Sequence, residues 1–137
     1  MIMMFDSLKM HILGSALYVD VCIWNASKKE FNSIFLTFDT GATVTTISHE
    51  ALNALGYDTS KGMERMITTG SGVAAVREIT VEKLKLGINY TLDDVMVYAH
   101  DFPDESFSIG VIGLNVLSQF DIFLRFSGKT INLYKIP

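Results

Sequence analysis

The residues best suited to chemistry in this sequence are Asp39-Thr40-Gly41-Ala42, a carboxylate followed at once by a hydroxyl and a glycine. An apolar, β-rich run, Ile34-Phe35-Leu36-Thr37-Phe38, leads in, and Thr43-Val44-Thr45-Thr46-Ile47-Ser48 leads out. Asp is depleted in strands and is costly to bury unless it is paired or hydrogen-bonded. Apolar strands on both sides therefore mark Asp39 as a charged or titrating group held inside an apolar frame. The bland alternative is a capped turn, since Asp and Gly are ordinary turn residues. The long apolar flanks weigh against it.

Other candidates are weaker. Gly70-Ser71-Gly72-Val73-Ala74-Ala75 satisfies a loose dinucleotide-binding pattern, which needs a buried strand before it and a helix opening within it. Met63-Glu64-Arg65-Met66 is a poor buried strand, and Val76, Ile79, Thr80 and Val81 disfavour a helix. A flexible hairpin tip fits better. His11, His49 and His100 have no metal-ligand spacing, and His49 reads as an exposed residue in the first turn of a helix. The single cysteine, Cys22, excludes an internal disulfide and a cysteine zinc site, and its apolar neighbours predict a buried small hydrophobe. Asp101, Asp104 and Glu105 form a small acidic loop expected to be solvated.

Composition sets the frame. At 137 residues the chain has the length of one domain, 1–137, and 49% apolar residues can furnish its core. Charged residues are 19% and mean hydropathy is +0.31, consistent with an apolar face kept for a partner subunit. A net charge of −4 without like-charge blocks argues against nucleic acid as a partner. No run approaches the roughly eighteen apolar residues of a membrane span, and Met1 to Val21 lacks the features of a signal peptide. A soluble, cytoplasmic protein without a membrane partner is expected.

The elements that must position Asp39 are mostly strands. Ser15 to Asn25 and Phe31 to Asp39 form a hairpin around the polar turn Ala26 to Glu30. Ser48 caps a short helix through Leu55, with Gly56 just past its end. Met63 to Thr69 and Val73 to Leu86 make a long hairpin tipped by Gly70-Ser71-Gly72. Gly87-Ile88-Asn89 turns into a strand over Tyr90 to Ala99, and His100 to Ser108 is a polar loop. A buried strand enters a helix over Gly113 to Phe120. Ile122 to Phe126 and Thr130 to Tyr134 close the chain around a Ser127-Gly128 turn.

From Phe31 to Tyr134 this pattern resembles the retroviral-type (retropepsin-like) aspartic proteases, single-domain dimeric relatives of pepsin. Their signature joins an apolar strand running into Asp-Thr/Ser-Gly-Ala to a distant pair of apolar residues and a Gly entering a short helix. The second element here is Val111-Ile112-Gly113-Leu114. Asp-Thr-Gly alone arises by accident in roughly 2–3% of chains this long, so the combination carries the resemblance. It implies an all-β acid-protease barrel with one or two short helices, assembled as a two-fold homodimer. It also implies that Asp39 is the catalytic carboxylate and that Thr40 hydrogen-bonds across the dimer. Gly41 and Ala42 would complete the active-site loop, with the Gly41 N–H able to bond the carboxylate. Thr69, Gly70, Ser71 and Gly72 would form a flap over substrate, Val111 and Ile112 would line pockets beside the scissile bond, and Gly113 would permit close strand–helix packing. Many viral members carry an acid at the position of Thr43, where it helps bind substrate backbone, and an Arg at that of Leu114. Both charges are absent here together, so neither is left as a buried unpaired ion.

Peptide hydrolysis needs a base to activate water and an acid to protonate the carbonyl oxygen or the leaving nitrogen. Two neighbouring carboxylates sharing one proton supply both roles. The chain contains one Asp-Thr-Gly, so the second carboxylate is expected from Asp39 of another copy in an isologous dimer. The expected function is an aspartic endopeptidase acting on extended polypeptides with apolar residues around the scissile bond, using no cofactor and no metal. The competing reading keeps the same dimeric barrel as a catalytically silent peptide-binding or scaffold module. A nucleotide-binding reading rests on Gly70 to Ala75 alone.

Overall fold

The computed structural model describes residues 5–102 and 109–137; Asp104 and Glu105 of the expected acidic loop lie outside them. Along the chain run β1 (Asp6–Lys9), β2 (His11–Leu13), β3 (Ala16–Asn25), β4 (Glu30–Phe38) and β5 (Thr46–Ile47). Helix α1 (His49–Ala54) and one 3₁₀ turn (Thr59–Lys61) follow, then β6 (Met63–Thr69), β7 (Gly72–Leu86) and β8 (Tyr90–Ala99). The chain ends with β9 (Gly110–Ile112), α2 (Leu114–Leu117), β10 (Phe120–Arg125) and β11 (Thr130–Lys135).

Eight strands form one sheet in the order β2-β3-β4-β9-β5-β8-β7-β6. It closes on itself where β3 also pairs with β7, Cys22 opposite Lys85 and Ile23 opposite Leu84. Side chains of period two fill the closed interior: Val19, Val21 and Ile23 from β3, Val81 and, one residue out of step, Leu84 and Leu86 from β7, with Leu36, Ile47, Val97 and Ile112 fully buried among them. Each such side chain is worth about 1.5–3 kcal/mol relative to exposure. A separate sheet, β1-β11-β10, contributes Ile131 and Leu133 to the same core.

The predicted hairpins appear within a residue or two of their expected bounds. Ser48 caps α1, its hydroxyl accepting from Ala51 N at 3.1 Å, and Gly56 follows at φ +87°. The hairpin tip is shorter than expected: Thr69 pairs with Gly72, leaving Gly70-Ser71 as a two-residue loop. No helix opens within Gly70 to Ala75, as a dinucleotide loop requires; β7 begins there instead. The helix expected over Gly113 to Phe120 stops at Leu117, because Phe120 begins β10 and pairs with Lys135. Cys22 is half-exposed rather than buried, since it points away from the interior that Val21 and Ile23 fill. His49 is half-buried, within 2.9 Å of the Thr59 hydroxyl. Two strands went unforeseen at the N-terminus, and β1 is fastened by Asp6, whose buried carboxylate accepts from Ile88 N and Asn89 N at 2.7 and 2.6 Å.

Candidate active site

Strand β4 delivers Asp39. The apolar lead-in is placed by alternation: Leu36 is fully buried, Phe38 packs against the core, and Phe35 stacks on Tyr18 on the opposite face. The backbone then turns tightly, Ala42 N donating to Asp39 O at 3.2 Å. Inside this turn Gly41 N donates to the Asp39 carboxylate at 2.8 Å. That bond fixes the direction of the carboxylate. A Cβ on Gly41 would sit 3.1 Å from the same oxygen, a crowding that glycine avoids.

A second segment locks the loop from behind. Parallel pairing sets Thr37 beside Val111 and Phe38 beside Ile112, and Asp39 N donates to Ile112 O at 3.2 Å. Leu114 N donates to Ala42 O at 2.8 Å, and Asn115 N to Thr43 O at 3.1 Å. At the crossing, a Cβ on Gly113 would meet Ala42 O and the Val44 carbonyl carbon at 2.8 Å, so only glycine lets the two segments approach this closely. Asn115 ties the crossing together. Its Oδ1 accepts from Thr45 N at 2.8 Å and from the Thr45 hydroxyl at 2.9 Å, while its Nδ2 donates to Met96 O at 2.8 Å. The buried Thr45 hydroxyl in turn accepts from Gly113 N at 3.0 Å.

Asp39 opens into a cleft of about 700 Å³ between this loop and the tip of the β6–β7 hairpin. Its walls are Gly41, Ala42, Thr43, Val44 and Thr46 on one side, Ile67 to Gly70 on the other, and Tyr98. Asp39 is the only carboxylate among them. Thus Asp39, Gly41, Ala42, Thr43, Thr69 and Gly70 come together around one cleft. Thr40 is exposed beside the carboxylate. Ser71 and Gly72 lie at the hairpin end outside the cleft wall, where Thr69 Oγ1 accepts from Ser71 N and donates to Gly72 O. Val111 is half-buried between Thr37 and Thr46 and does not line the cleft. Ile112 is a correction to the expected pocket: it is fully buried in the core, because its neighbour Gly113 must pack against the Asp loop. Asn115, Thr45 and Tyr98 were not singled out from the sequence, where an Asn, a Thr and a Tyr in apolar runs carry no local signal.

A single carboxylate can serve as acid or base at one moment, and peptide hydrolysis asks for both. Among the described residues, no group of three or more His, Cys, Asp or Glu could hold a metal ion. No described helix is long and apolar enough to cross a membrane.

With the geometry in place, likeness to known proteins adds an independent line. The aspartyl protease family profile matches residues 32–116, which include the Asp loop, the β6–β7 hairpin and Gly113. No curated protein matches the sequence significantly. The crystal structure of a retropepsin-like aspartic protease from Rickettsia conorii superposes with a TM-score of 0.67 at 17% identity, covering 98% of this chain and 96% of that one. The fold is therefore retropepsin-like: mostly β, with two short helices.

Proposed function

The chain belongs to the aspartyl protease family, and from that premise we propose that it is an endopeptidase whose Asp39 pairs with Asp39 of a second copy. One observation carries the reading most: the Asp39 carboxylate, aimed by Gly41 N–H, faces a hairpin tip across an open cleft in which no other described residue offers a carboxylate. In the paired site one Asp39 is ionised and draws a proton from water as the water attacks the peptide carbonyl. The other, protonated, gives its proton to the carbonyl oxygen. Collapse of the tetrahedral intermediate then returns a proton to the leaving nitrogen. The two carboxylates titrate as a pair, so activity peaks below neutral pH and falls on both sides.

The neighbouring residues take supporting roles in this proposal. Thr40, exposed beside the carboxylate, bonds across the two-fold axis. Thr69 and Gly70, with Ser71 and Gly72 behind them, close over an extended polypeptide. Thr43 contacts substrate at the rim without the charge found in viral relatives. Exposed apolar side chains, Leu114 at the site's own crossing among them, supply surface for the partner copy. The test is proteolysis of a peptide library between about pH 4 and 7, with Asp39→Asn as control. Cleavage by the wild type, its inhibition by pepstatin and its loss in Asp39→Asn are expected. Comparable turnover by a folded Asp39→Asn protein ends the proposal.

A further inference from the structure

Five cleft-lining side chains carry hydroxyls: Thr43, Thr46, Thr68, Thr69 and Tyr98. Two are already committed, Thr46 Oγ1 donating to Val44 O at 3.2 Å and Thr69 Oγ1 to Gly72 O at 2.9 Å. Thr43 and Thr68 are exposed, so water can stay on them when the cleft fills. Tyr98 differs. It is half-buried on β8, opposite Thr46 on one side and Glu78 on the other. Among the described residues no group hydrogen-bonds its hydroxyl, and the apolar Val44 and Ile67 line the same cleft.

A peptide filling this cleft strips water from the Tyr98 phenol. If the side chain facing it is apolar, the hydroxyl is left without a partner, which is costly; if that side chain can hydrogen-bond, the loss is made good. Charge is disfavoured at the same place. An acidic side chain would share the cleft with the Asp39 carboxylate and be repelled by it, and a basic one would be drawn toward Asp39 and away from Tyr98. On the reading of this cleft as a peptide site, we propose that Tyr98 determines specificity. It selects, for the substrate side chain packed beside Val44 and Ile67, an uncharged amide or hydroxyl (Asn, Gln or Thr) over its apolar isostere.

Paired peptides that differ only by Asn/Leu or Thr/Val at one position test this, with the pair walked along each side of the scissile bond. At one position the wild type should favour the polar member about tenfold in kcat/KM. Tyr98→Phe should bring that ratio to about one or reverse it, mainly by speeding the apolar peptide. Tyr98→His, which restores a hydrogen-bonding ring, should recover the preference, and thermal melts of both variants check folding. An unchanged ratio in folded Tyr98→Phe, or a wild type without polar preference at any position, overturns the inference while leaving the peptidase reading intact. If the wild type cleaves no peptide, the peptidase reading falls instead, and the same ratios are read from Kd values of the intact peptides. Absence of both cleavage and binding overturns both.

Discussion

At the scale of single residues, the site depends on small groups that hold Asp39 rather than on Asp39 alone. Asn115 is the clearest. Removing its amide leaves the buried Thr45 N–H and Met96 O without these partners and the Thr45 hydroxyl proton without its acceptor. Asn115→Ala should therefore cost about 3 kcal/mol in chemical denaturation. The displaced loop should also lower kcat/KM by roughly tenfold or more. Retention of both wild-type values would show that the crossing at Gly113 needs no such tie. Asp58 gives a pH test away from the site. Its carboxylate accepts from the Ser60 hydroxyl and, less strongly, from Ser60 N, which holds it below its usual value of 3.8. A lowered folded-state value contributes stability above that usual value, lost as pH falls through the folded one. Asp58→Ala should lower Tm at neutral pH and leave it nearly unchanged near about pH 2. An equal loss at both pH values would contradict the assignment. Asp39 was legible in sequence because its neighbours along the chain are its frame. Asn115 and Tyr98 were not, because what makes them matter is 70 residues away for the Asn115–Thr45 bonds, and for Tyr98 is a cleft wall built by other strands.

At the scale of elements, hairpins were the readable part. β3–β4 and β6–β7 join neighbouring segments through short polar or glycine turns, so alternation and turn chemistry sit within one window of sequence. The pairing of β1 with β11 joins Ser7 to Asn132, and nothing local announces such a strand. Ile112 was misplaced for a related reason. Its apolar character suits a pocket or a core equally, and only the close approach of Gly113 to the Asp loop decides for the core. Tyr57 shows how elements are fastened. Its hydroxyl donates to Trp24 O at 2.6 Å and accepts from Glu82 N at 3.2 Å, bridging β3 and β7 beside their point of closure. Burial raises its phenol above the usual 10.0, against the lowering effect of the Glu82 N–H, so the bridge is protonated and intact at neutral pH. Tyr57→Phe strands both backbone groups and should cost about 1–3 kcal/mol by denaturant unfolding. A change within about 0.5 kcal/mol, the usual range of surface substitutions, would mean that the closure does not depend on this bridge.

At the scale of the molecule, the proposal is that one chain supplies the frame of a site and one of the two carboxylates that peptide hydrolysis asks for. The sequence raises this through arithmetic, one Asp-Thr-Gly where two carboxylates are needed, and Asp39 is the one carboxylate among the described residues that line the cleft. The architecture itself was legible through the family resemblance that Asp39-Thr40-Gly41-Ala42 and Val111-Ile112-Gly113 carry, and in the fold these two segments cross behind the carboxylate.

The central claim, a site shared by two copies of Asp39, is tested most directly by mixing. Wild type and Asp39→Asn are combined at fixed total protein, equilibrated through dissociation, and assayed on one peptide. If each active site needs Asp39 from both copies, activity follows the square of the wild-type fraction, and an equal mixture retains about a quarter of the wild-type rate. A linear fall, with the equal mixture at about half, would mean that each chain works alone and would contradict the shared site.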